Sequence, residues 1–401
     1  MPFQKALLDV QRKLKNDALD GWLLYDFRRS NPLACQFLKI SLEANLTRRF
    51  FYWIPQTGFP IKIVSAIESH LLEHLPGESL VYHSWSELEE KLAKLLLNKK
   101  KIAMEYSPKN AIPAVSKVDA GTLEMIRSYG VEVVSSANLL QAYTSTWTPF
   151  QLQTHRHALL VLENSVKLAW EKIAKSLRTS QKMTEFDVQQ FILENIKEQG
   201  CITSDPPICA VNAHSANPHY SPDAKHFAEI RPGDFILIDL WCKQNLPHAV
   251  YADITQVGVA AATPTDKQQR IFNIVKEARD SATHFIRENI ENRLAVMGWQ
   301  ADQACREVIT KAGFGSYFIH RTGHNIGEED HGPGAHLDNF ETQDQRFLLP
   351  QTCFSIEPGI YLPNEFGLRL EYNVFIHPHH KVEVTGNVQN HLICLGNANN
   401  F

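Results

Sequence analysis

The sequence has no excess of basic residues, no closely paired cysteines and no long apolar run. Among its 401 residues, 40 Lys and Arg face 44 Asp and Glu, and the net charge of −4 argues against nucleic acid as a partner. The seven cysteines are widely spaced without a Cys-x-x-Cys motif, which disfavours a disulfide framework or a cysteine zinc site. No apolar run approaches the ~18 residues of a membrane span, and the first residues lack the apolar core of a signal peptide. We therefore expect a cytoplasmic protein that binds neither nucleic acid nor membrane.

Histidine is the residue type that stands out. The chain has 18 histidines, and 13 of them lie at or after residue 214. Because histidine is both a common metal ligand and an acid or base near neutral pH, this bias predicts a metal or acid–base site in the C-terminal part.

The chain is expected to form two domains. Residues 1–146 alternate short apolar runs with one amphipathic stretch at 84–97, which is typical of an α/β domain. Thr148, Pro149 and Gln151 form a strong helix start and place the second domain at 147–401. The apolar runs predict strands at 21–25, 50–54, 61–64 and 101–104, and the later helices are predicted at 149–176, 185–199, from 265 onward and 302–312.

Two pairs of acidic residues share one spacing. Asp239 and Asp253 are 14 residues apart, each within an apolar strand-like run, about a turn centred on residue 246. Glu357 and Glu371 repeat this spacing about Asn364. If each pair of runs forms an antiparallel hairpin, the two carboxylates of a pair face each other at ~5 Å.

Four carboxylates on one face repel each other strongly unless cations lie between them. Divalent metal ions are the simplest source of that positive charge. A single acidic residue in a strand is more often a surface or ion-paired residue, so the repeated spacing is what carries this prediction.

Histidines accompany these acids. His320, His324 and His331 lie in a run that glycines interrupt, which favours a strand or loop close to a site over a helix. His219 sits in a proline-bounded turn. Other histidines are interpreted as having no role in a site: 155 and 157 are expected on a helix surface, and 377–380 in a solvated loop.

At these residues the chain resembles the M24 metallopeptidases of the pita-bread fold, which include methionine aminopeptidase, aminopeptidase P and prolidase. The resemblance covers residues from about 150 to 395 and is specific because four motifs occur in order. It implies an α+β pita-bread domain with pseudo-two-fold symmetry, and the preceding α/β domain resembles that of the prolidase and aminopeptidase P branch. The motifs are Pro218-His219-Tyr220, Asp239…Asp253-Ile-Thr255, His320-x-x-Gly-His324-x-x-Gly327-x-x-x-His331 and Ser355-Ile-Glu357-Pro-Gly-Ile-Tyr361…Arg369-Leu-Glu371.

The resemblance implies a site with two divalent metal ions, with Mn²⁺ as the first choice and Co²⁺ or Zn²⁺ as in vitro alternatives. Two of the ligands, Asp253 and Glu371, would bridge the ions. The implied metal ligands are Asp239, Asp253, His324, Glu357 and Glu371.

The implied reaction is hydrolysis of the bond between an N-terminal residue and proline, in a dipeptide or short peptide. Glu357 would move the proton of the attacking water, and His219 and His331 would flank the scissile bond. His320 and Arg369 are assigned to the substrate-binding surroundings, and Arg369 is also expected to orient the carboxylates. Family resemblance alone suggests a homodimer.

Three features depart from the usual family pattern. Trp241 stands where a glycine is usual, Gln256 stands where an arginine is usual, and the spacing between the two aspartates is three residues longer. No metal ligand is lost, and the departures bear on the shape of the substrate pocket and hence on the preferred peptide, which the resemblance does not determine. The alternatives are an aminopeptidase for longer Xaa-Pro peptides, a non-peptidase metalloenzyme such as a lyase, and a non-catalytic binding protein of the same fold.

Overall fold

The computed structural model describes residues 3–396 and divides the chain into two compact units between Thr144 and Ser145. Each unit has its own hydrophobic core. Within the described residues, none of the helices combines the length and apolarity that crossing a membrane requires.

The first unit is built on a six-stranded mixed sheet with strand order β4-β3-β2-β1-β5-β6. The four sequence-predicted strands and the amphipathic helix are present, whereas the more polar β4 and β6 were not predicted. The elements are α1 (Phe3–Asn16), β1 (Gly21–Asp26), α2 (Pro32–Phe37), β2 (Phe50–Pro55), β3 (Ile61–Ser65), β4 (Glu78–Tyr82), α3 (Trp85–Leu96), β5 (Lys101–Met104), α4 (Ala120–Ser128), β6 (Glu132–Ser135) and α5 (Ala137–Thr144).

The local sequence explains α3. The Ser84 hydroxyl accepts a hydrogen bond from the Glu87 amide at 3.2 Å and caps the helix. Leu88, Leu92 and Leu96 recur every fourth residue and bury one face against the sheet.

The second unit contains two long helices followed by an antiparallel strand pair, and this order occurs twice. The elements are α6 (Pro149–Thr179), α7 (Glu185–Glu198), β7 (Cys201–Ile202), β8 (Ile208–Val211), β9 (Phe235–Gln244), β10 (Ala252–Val259), α8 (Asp266–Glu291), α9 (Gly298–Lys311), β11 (Asn325–Ile326), β12 (Cys353–Ile356), β13 (Gly359–Leu362), β14 (Phe366–Arg369), β15 (Tyr372–Ile376), β16 (Val382–Thr385) and β17 (Ile393–Cys394).

The helix predictions for this unit are confirmed, with shifts at two ends. Capping boxes at Thr148, Thr184 and Thr265 begin α6, α7 and α8 as expected. Helix α6 continues three residues past the predicted end, and α9 begins at Gly298 rather than at 302.

The expectation that His155 lies on the surface of its helix is wrong. It is fully buried, whereas the helix-surface interpretation holds for His157, which is exposed. The His155 Nδ1 lies 2.7 Å from the Tyr251 carbonyl oxygen and its Nε2 lies 2.8 Å from the Thr385 hydroxyl. Helix periodicity was consistent with burial, since His155 lies three and four residues before the buried Ala158 and Leu159, but its polar side chain had suggested a surface position.

The first acidic hairpin is present, but its predicted register is wrong. Strands β9 and β10 pair Asp239 with Thr255 and Trp241 with Asp253, so the two aspartates are diagonal neighbours rather than opposite. The paired residues are arranged symmetrically about residue 247 rather than 246, because the connection between the strands turns one residue later than expected. The shift of the register by two keeps both carboxylates on one face of the sheet, since side chains alternate with period two.

The second acidic hairpin has the predicted register. Strand pairs β12–β15 and β13–β14 follow one continuous antiparallel alignment, with Ile356 opposite Tyr372 and Gly359 opposite Arg369. This alignment places Glu357 opposite Glu371 at a short break between the strands. Asn364, at the tip of the hairpin, has a φ of 61°.

Candidate active site

All nine sequence-predicted site residues line one cavity of about 1120 Å³ in the second unit. The two hairpins contribute the four acids and Arg369, and the run before and after β11 contributes the three histidines. His219 enters from the loop after β8. Strands position the two aspartates, the break between the strands of the second hairpin positions the two glutamates, and loops position most of the histidines.

Three potential ligands converge most closely. One ligand atom from each of Asp253, His324 and Glu371 lies within 4.8 Å of the others, and all three residues are buried. Asp253 Oδ1 and Glu371 Oε1 are buried without a hydrogen-bond partner among the described residues. A buried carboxylate oxygen without a partner is costly, and a cation between these groups would remove that cost.

Glu357 joins this group through His324. Its Oε1 lies 3.4 Å from His324 Nε2 and accepts a hydrogen bond from the Ser355 hydroxyl at 3.0 Å. The backbone of Ser355 pairs with that of His324, and the His324 amide donates to the Ser355 hydroxyl at 2.9 Å. Ser355 therefore holds Glu357 and His324 in fixed relation.

Asp239 is linked to Glu371 by the hydroxyl of Thr255. The Thr255 Oγ1 lies 2.7 Å from an oxygen of each carboxylate, and Arg369 pairs with Asp239. A hydroxyl carries one hydrogen, so it can donate to only one of these two oxygens. The carboxylate oxygen that receives no hydrogen lies close to another oxygen, and a proton on one carboxyl group or a cation at this centre would offset their repulsion.

The pKa values of two acids at this centre, Glu371 and Asp253, are raised, which favours their protonated forms. Burial, and then the charges of Glu357 and Asp239, raise the pKa of Glu371. Burial, and then the charge of Glu371, raise the pKa of Asp253. Burial also opposes ionisation of Glu357, but the electrostatic influence of His324, and then of His320 and Arg369, outweighs it and lowers the Glu357 pKa. Of Glu357, Glu371 and Asp253, Glu357 is therefore the acid that most readily holds its charge.

His320 has protein partners at both ring nitrogens. Nδ1 lies 2.7 Å from the Arg321 carbonyl oxygen, and Nε2 lies 2.7 Å from the Tyr361 hydroxyl. That hydroxyl accepts a hydrogen bond from Arg369 at 3.0 Å. The chain from His320 through Tyr361 orients Arg369, and Arg369 in turn contacts Asp239 and Thr255.

His331 and His219 lie at the open side of the cavity. The ring of His331 lies 4.0 Å from the ring of His324, centroid to centroid, and its Nδ1 accepts a hydrogen bond from Arg321 at 3.1 Å. His219 is exposed, and its amide donates to the Asn217 side chain at 3.1 Å.

Glu185, at the start of α7, holds the loop that carries His219 in place through hydrogen bonds. The buried Glu185 carboxylate accepts hydrogen bonds from the Tyr220 hydroxyl at 2.6 Å and the Val211 amide at 2.7 Å. Its Oε1 and Oε2 each lie 3.0 Å from His214 Nδ1. This network fixes the residue that follows His219.

Several residues of the cavity were not predicted as site residues. Thr255 follows Asp253 by two residues and shares its face, a period-two signal that was available in the sequence. Asp330 has a buried oxygen without a partner among the described residues and forms a second ligand-like group with His324 and His331. Its only sequence signal was its place directly before His331. No sequence pattern indicated Arg321 as a site residue, because its place in the cavity depends on which side chains surround it in the fold.

The residues present fit divalent metal ions. The donor set consists of four carboxylates and one imidazole, which suits hard or borderline ions. Within this donor set, the oxygens without hydrogen-bond partners among the described residues belong to Asp253 and Glu371, the residues expected to bridge. Asp239 is already bonded to Thr255 and Arg369, but each carboxylate oxygen has a second lone pair.

Comparison with known proteins agrees with this geometry. The profile of metallopeptidase family M24 matches residues 156–378, which make up more than half of the chain and include every residue of the ligand set just described. The chain belongs to metallopeptidase family M24. The resemblance stated from the motifs is thereby confirmed.

Among the curated relatives of this M24 protein is an Xaa-Pro dipeptidase of Lactobacillus helveticus. It is 29% identical over 244 residues, which make up 61% of this chain and 60% of the relative. The match therefore spans about three fifths of that relative's length.

Solved structures share the fold of this M24 protein. A recombinant prolidase from Thermococcus sibiricus covers 98% of this chain and 99% of its own, with a TM-score of 0.61 and 22% identity. An X-prolyl aminopeptidase from Caenorhabditis elegans, described as a cytosolic enzyme with a di-nuclear active site, covers 97% of this chain and 62% of its own, with a TM-score of 0.61 and 16% identity. The predicted fold class, an α/β domain followed by a pita-bread domain, is confirmed.

Proposed function

We propose that this protein uses bound divalent metal ions to hydrolyse the peptide bond between an N-terminal residue and proline. The observation that carries the proposal is the convergence of Asp253, His324 and Glu371 around two unpartnered buried oxygens in an open cavity. Relatives named as Xaa-Pro peptidases support this choice of bond.

In this proposal, the five ligand residues would hold two divalent ions, and Asp253 and Glu371 would contribute to both. Such ions would supply positive charge and make a water molecule a stronger nucleophile near neutral pH. Mn²⁺ is the first choice because the set is rich in oxygen, and Co²⁺ or Zn²⁺ are alternatives in vitro. The ligand residues are Asp239, Asp253, His324, Glu357 and Glu371.

The residues of the chain then handle protons and orientation. Glu357, whose pKa is lowered, accepts the proton of the attacking water at the oxygen not bonded to Ser355. His219 polarises the carbonyl oxygen of the first residue, since its ring lies at the open cavity wall. The proline nitrogen lacks a hydrogen and must gain a proton to leave. Glu357, which has taken the proton of the water, delivers that proton to the departing nitrogen. His331 assists only with a hydrogen bond from Nε2–H, because its Nδ1 accepts from Arg321.

The test is metal dependence of Ala-Pro cleavage. Chelation should abolish turnover, and added Mn²⁺ should restore it. The Asp253→Asn variant should lose bound metal, measured per chain by atomic emission, and lose activity while keeping its circular dichroism spectrum. The exposed Asp17→Asn is the matched control and should behave like the wild type.

Activity that is indifferent to chelator, or full turnover in Asp253→Asn, would contradict the proposal. Intact metal binding without any peptidase activity would instead favour a non-peptidase reaction in the same fold. The expected homodimer and cytoplasmic location stay predictions, and the former is checked by light scattering of the full chain.

A further inference from the structure

We propose that Asp330, supported by Asp205, binds the side chain of a lysine or arginine at the first position of the substrate and makes the site selective for Xaa-Pro substrates with a basic first residue. The inference rests on the proposed function, because it assumes a substrate that is cleaved after its first residue. It names the class of first residue that the sequence left open.

Asp330 offers the substrate a carboxylate. Its Oδ1 is buried without a hydrogen-bond partner among the described residues, and its side chain is 17% exposed and lines the cavity. Its Oδ2 lies 3.9 Å from His331 Nε2, which is beyond hydrogen-bond distance. A buried carboxylate oxygen without a partner is costly, so a positively charged group of a ligand beside Asp330 would remove an existing cost.

The cavity as a whole has an excess of acidic residues. Within the part of the chain that the structure describes, eight acidic residues and two arginines line it, and no lysine does. Two divalent ions would balance the four acids of the ligand set, which leaves four acids against two arginines. These four are Asp205, Glu329, Asp330 and Glu341. A first residue with a basic side chain reduces this excess, whereas an uncharged side chain leaves it unchanged.

Apolar groups beside the metal-ligand acids suit the stem of a basic side chain. Ile208 pairs with Asp239, and Trp241 pairs with Asp253, on the face of the sheet that carries both aspartates. Both side chains line the cavity, as does Pro206. Lysine and arginine carry long apolar stems below their charge, and both cations bind to the faces of aromatic rings. An apolar wall combined with free carboxylates therefore matches a basic side chain better than a purely apolar one.

The proposed reaction brings the first residue within reach of Asp330. His331 Nε2–H contacts the proline nitrogen in that reaction, and the Cα of the first residue is two bonds from this nitrogen, about 2.5 Å away. Because Asp330 Oδ2 lies 3.9 Å from His331 Nε2, that Cα is at most about 9 Å from the Asp330 carboxylate. A lysine or arginine side chain extends about 6 Å and a hydrogen bond adds about 3 Å, so the charged end reaches the carboxylate.

Asp205 adds a second carboxylate near the first. It lies in the loop before β8, is exposed and lines the cavity. Burial, and then the charges of Glu357, Asp239 and Asp205, raise the pKa of Asp330. A cation between Asp205 and Asp330 would offset their repulsion and favour the charged form of both.

The test compares Arg-Pro with citrullyl-proline, whose side chain has nearly the same size but no charge. With Mn²⁺ present, the kcat/KM of the wild type should be about 10- to 100-fold higher for Arg-Pro, the range expected of a charge-assisted hydrogen bond. Asp330→Asn should remove most of this preference, and Asp330→Glu should keep part of it. Asp205→Asn should lower it by about 3-fold, because an exposed carboxylate is screened by solvent.

The matched control is Glu328→Gln, which changes an exposed acid of the same loop that does not line the cavity. This variant should keep the full preference for Arg-Pro. Thermal unfolding of each variant checks the fold, and the Mn²⁺ bound per chain should be the same in Asp330→Asn as in the wild type.

Equal kcat/KM values of the wild type for the two dipeptides would overturn the inference. An equal loss for both dipeptides in Asp330→Asn would also overturn it, because Asp330 would then serve every substrate, and so would loss of bound Mn²⁺, because Asp330 would then be a metal ligand. If Ala-Pro is cleaved and Arg-Pro is not, the inference alone fails. If no Xaa-Pro dipeptide is cleaved, the proposed function fails, and calorimetric titration of Arg-Pro and citrullyl-proline into the Mn²⁺-loaded protein decides the inference by the same ratio.

Discussion

Glu357 and Glu371 lie opposite each other at a break in one continuous antiparallel register. The pairs Ile356–Tyr372 and Gly359–Arg369 on either side of the break follow the same alignment. Two carboxylates of one hairpin therefore face each other within the cavity. This arrangement is unfavourable for the protein alone and favourable once a cation lies between the acids.

The Glu371→Gln variant should separate stability from activity. Burial and neighbouring negative charges raise the Glu371 pKa, so the ionised acid destabilises the metal-free fold near pH 8. The neutral amide removes this penalty, and the thermal midpoint of the metal-free variant should lie above that of the wild type. Activity should fall about 100-fold or more because a metal ligand is lost. A lower midpoint in calorimetry of the metal-free proteins would contradict this account.

The Tyr361→Phe variant tests the chain of hydrogen bonds that orients Arg369. Its hydroxyl accepts from Arg369 and contacts His320. Without it, we expect a loss of about 10-fold in kcat/KM on Ala-Pro and weaker Mn²⁺ binding, with the fold retained. Tyr52→Phe removes a comparable hydroxyl contact, to the Pro76 carbonyl in the first unit, and should leave both quantities unchanged. Unaltered kinetics in Tyr361→Phe would show that Arg369 needs no such support.

Substitution by alanine should have different effects on stability at two glycines of the run 320–331. A Cβ at Gly323 would lie 2.0 Å from the Ser355 carbonyl oxygen, a backbone atom that cannot easily move. At Gly327 the nearest atom lies at an ordinary 3.7 Å. Gly323→Ala should therefore destabilise the protein by about 3 kcal/mol and displace His324, with loss of activity. Gly327→Ala is the matched control and should stay near wild type in urea unfolding and in turnover. Equal unfolding midpoints for the two variants would contradict this prediction.

Acid sensitivity should depend on His155. Burial lowers its pKa to about 4, so the folded protein keeps the ring neutral while the unfolded chain protonates it near pH 6.5. His155 thus contributes stability that is fully present above pH 6.5 and is lost as the pH falls toward 4, by about 3 kcal/mol in total.

The His155→Gln variant should be less stable than the wild type at pH 7.5, because the contacts to Tyr251 and Thr385 are weakened. The difference should shrink at pH 5, since the variant has no group to protonate there. Urea unfolding at the two pH values measures this. His157→Gln, at the exposed neighbouring position, is the control and should show the wild-type pH dependence. A constant difference between His155→Gln and wild type would contradict the assignment.

Much of the fold was predictable because its signals are local. Helix caps at Thr148, Thr184 and Thr265 depend on neighbouring residues, and so do apolar strand runs. The edge strands β4 and β6 escaped prediction because they are short and partly polar. The register of Asp239 and Asp253 was missed because it depends on the conformation of the connection between the strands.

By itself, the sequence determined the type of centre: four acids at repeated spacing, a glycine-interrupted histidine run and the order of the motifs. These features lie within single segments, where spacing alone brings side chains to one face. The tertiary structure decided how the segments meet: which oxygens lack hydrogen-bond partners, that Thr255 joins Asp239 to Glu371, and that Arg369 contacts Asp239 while Arg321 contacts His331. Such relations join residues up to 130 positions apart, as Arg369 and Asp239 are, so no local pattern in the chain could specify them.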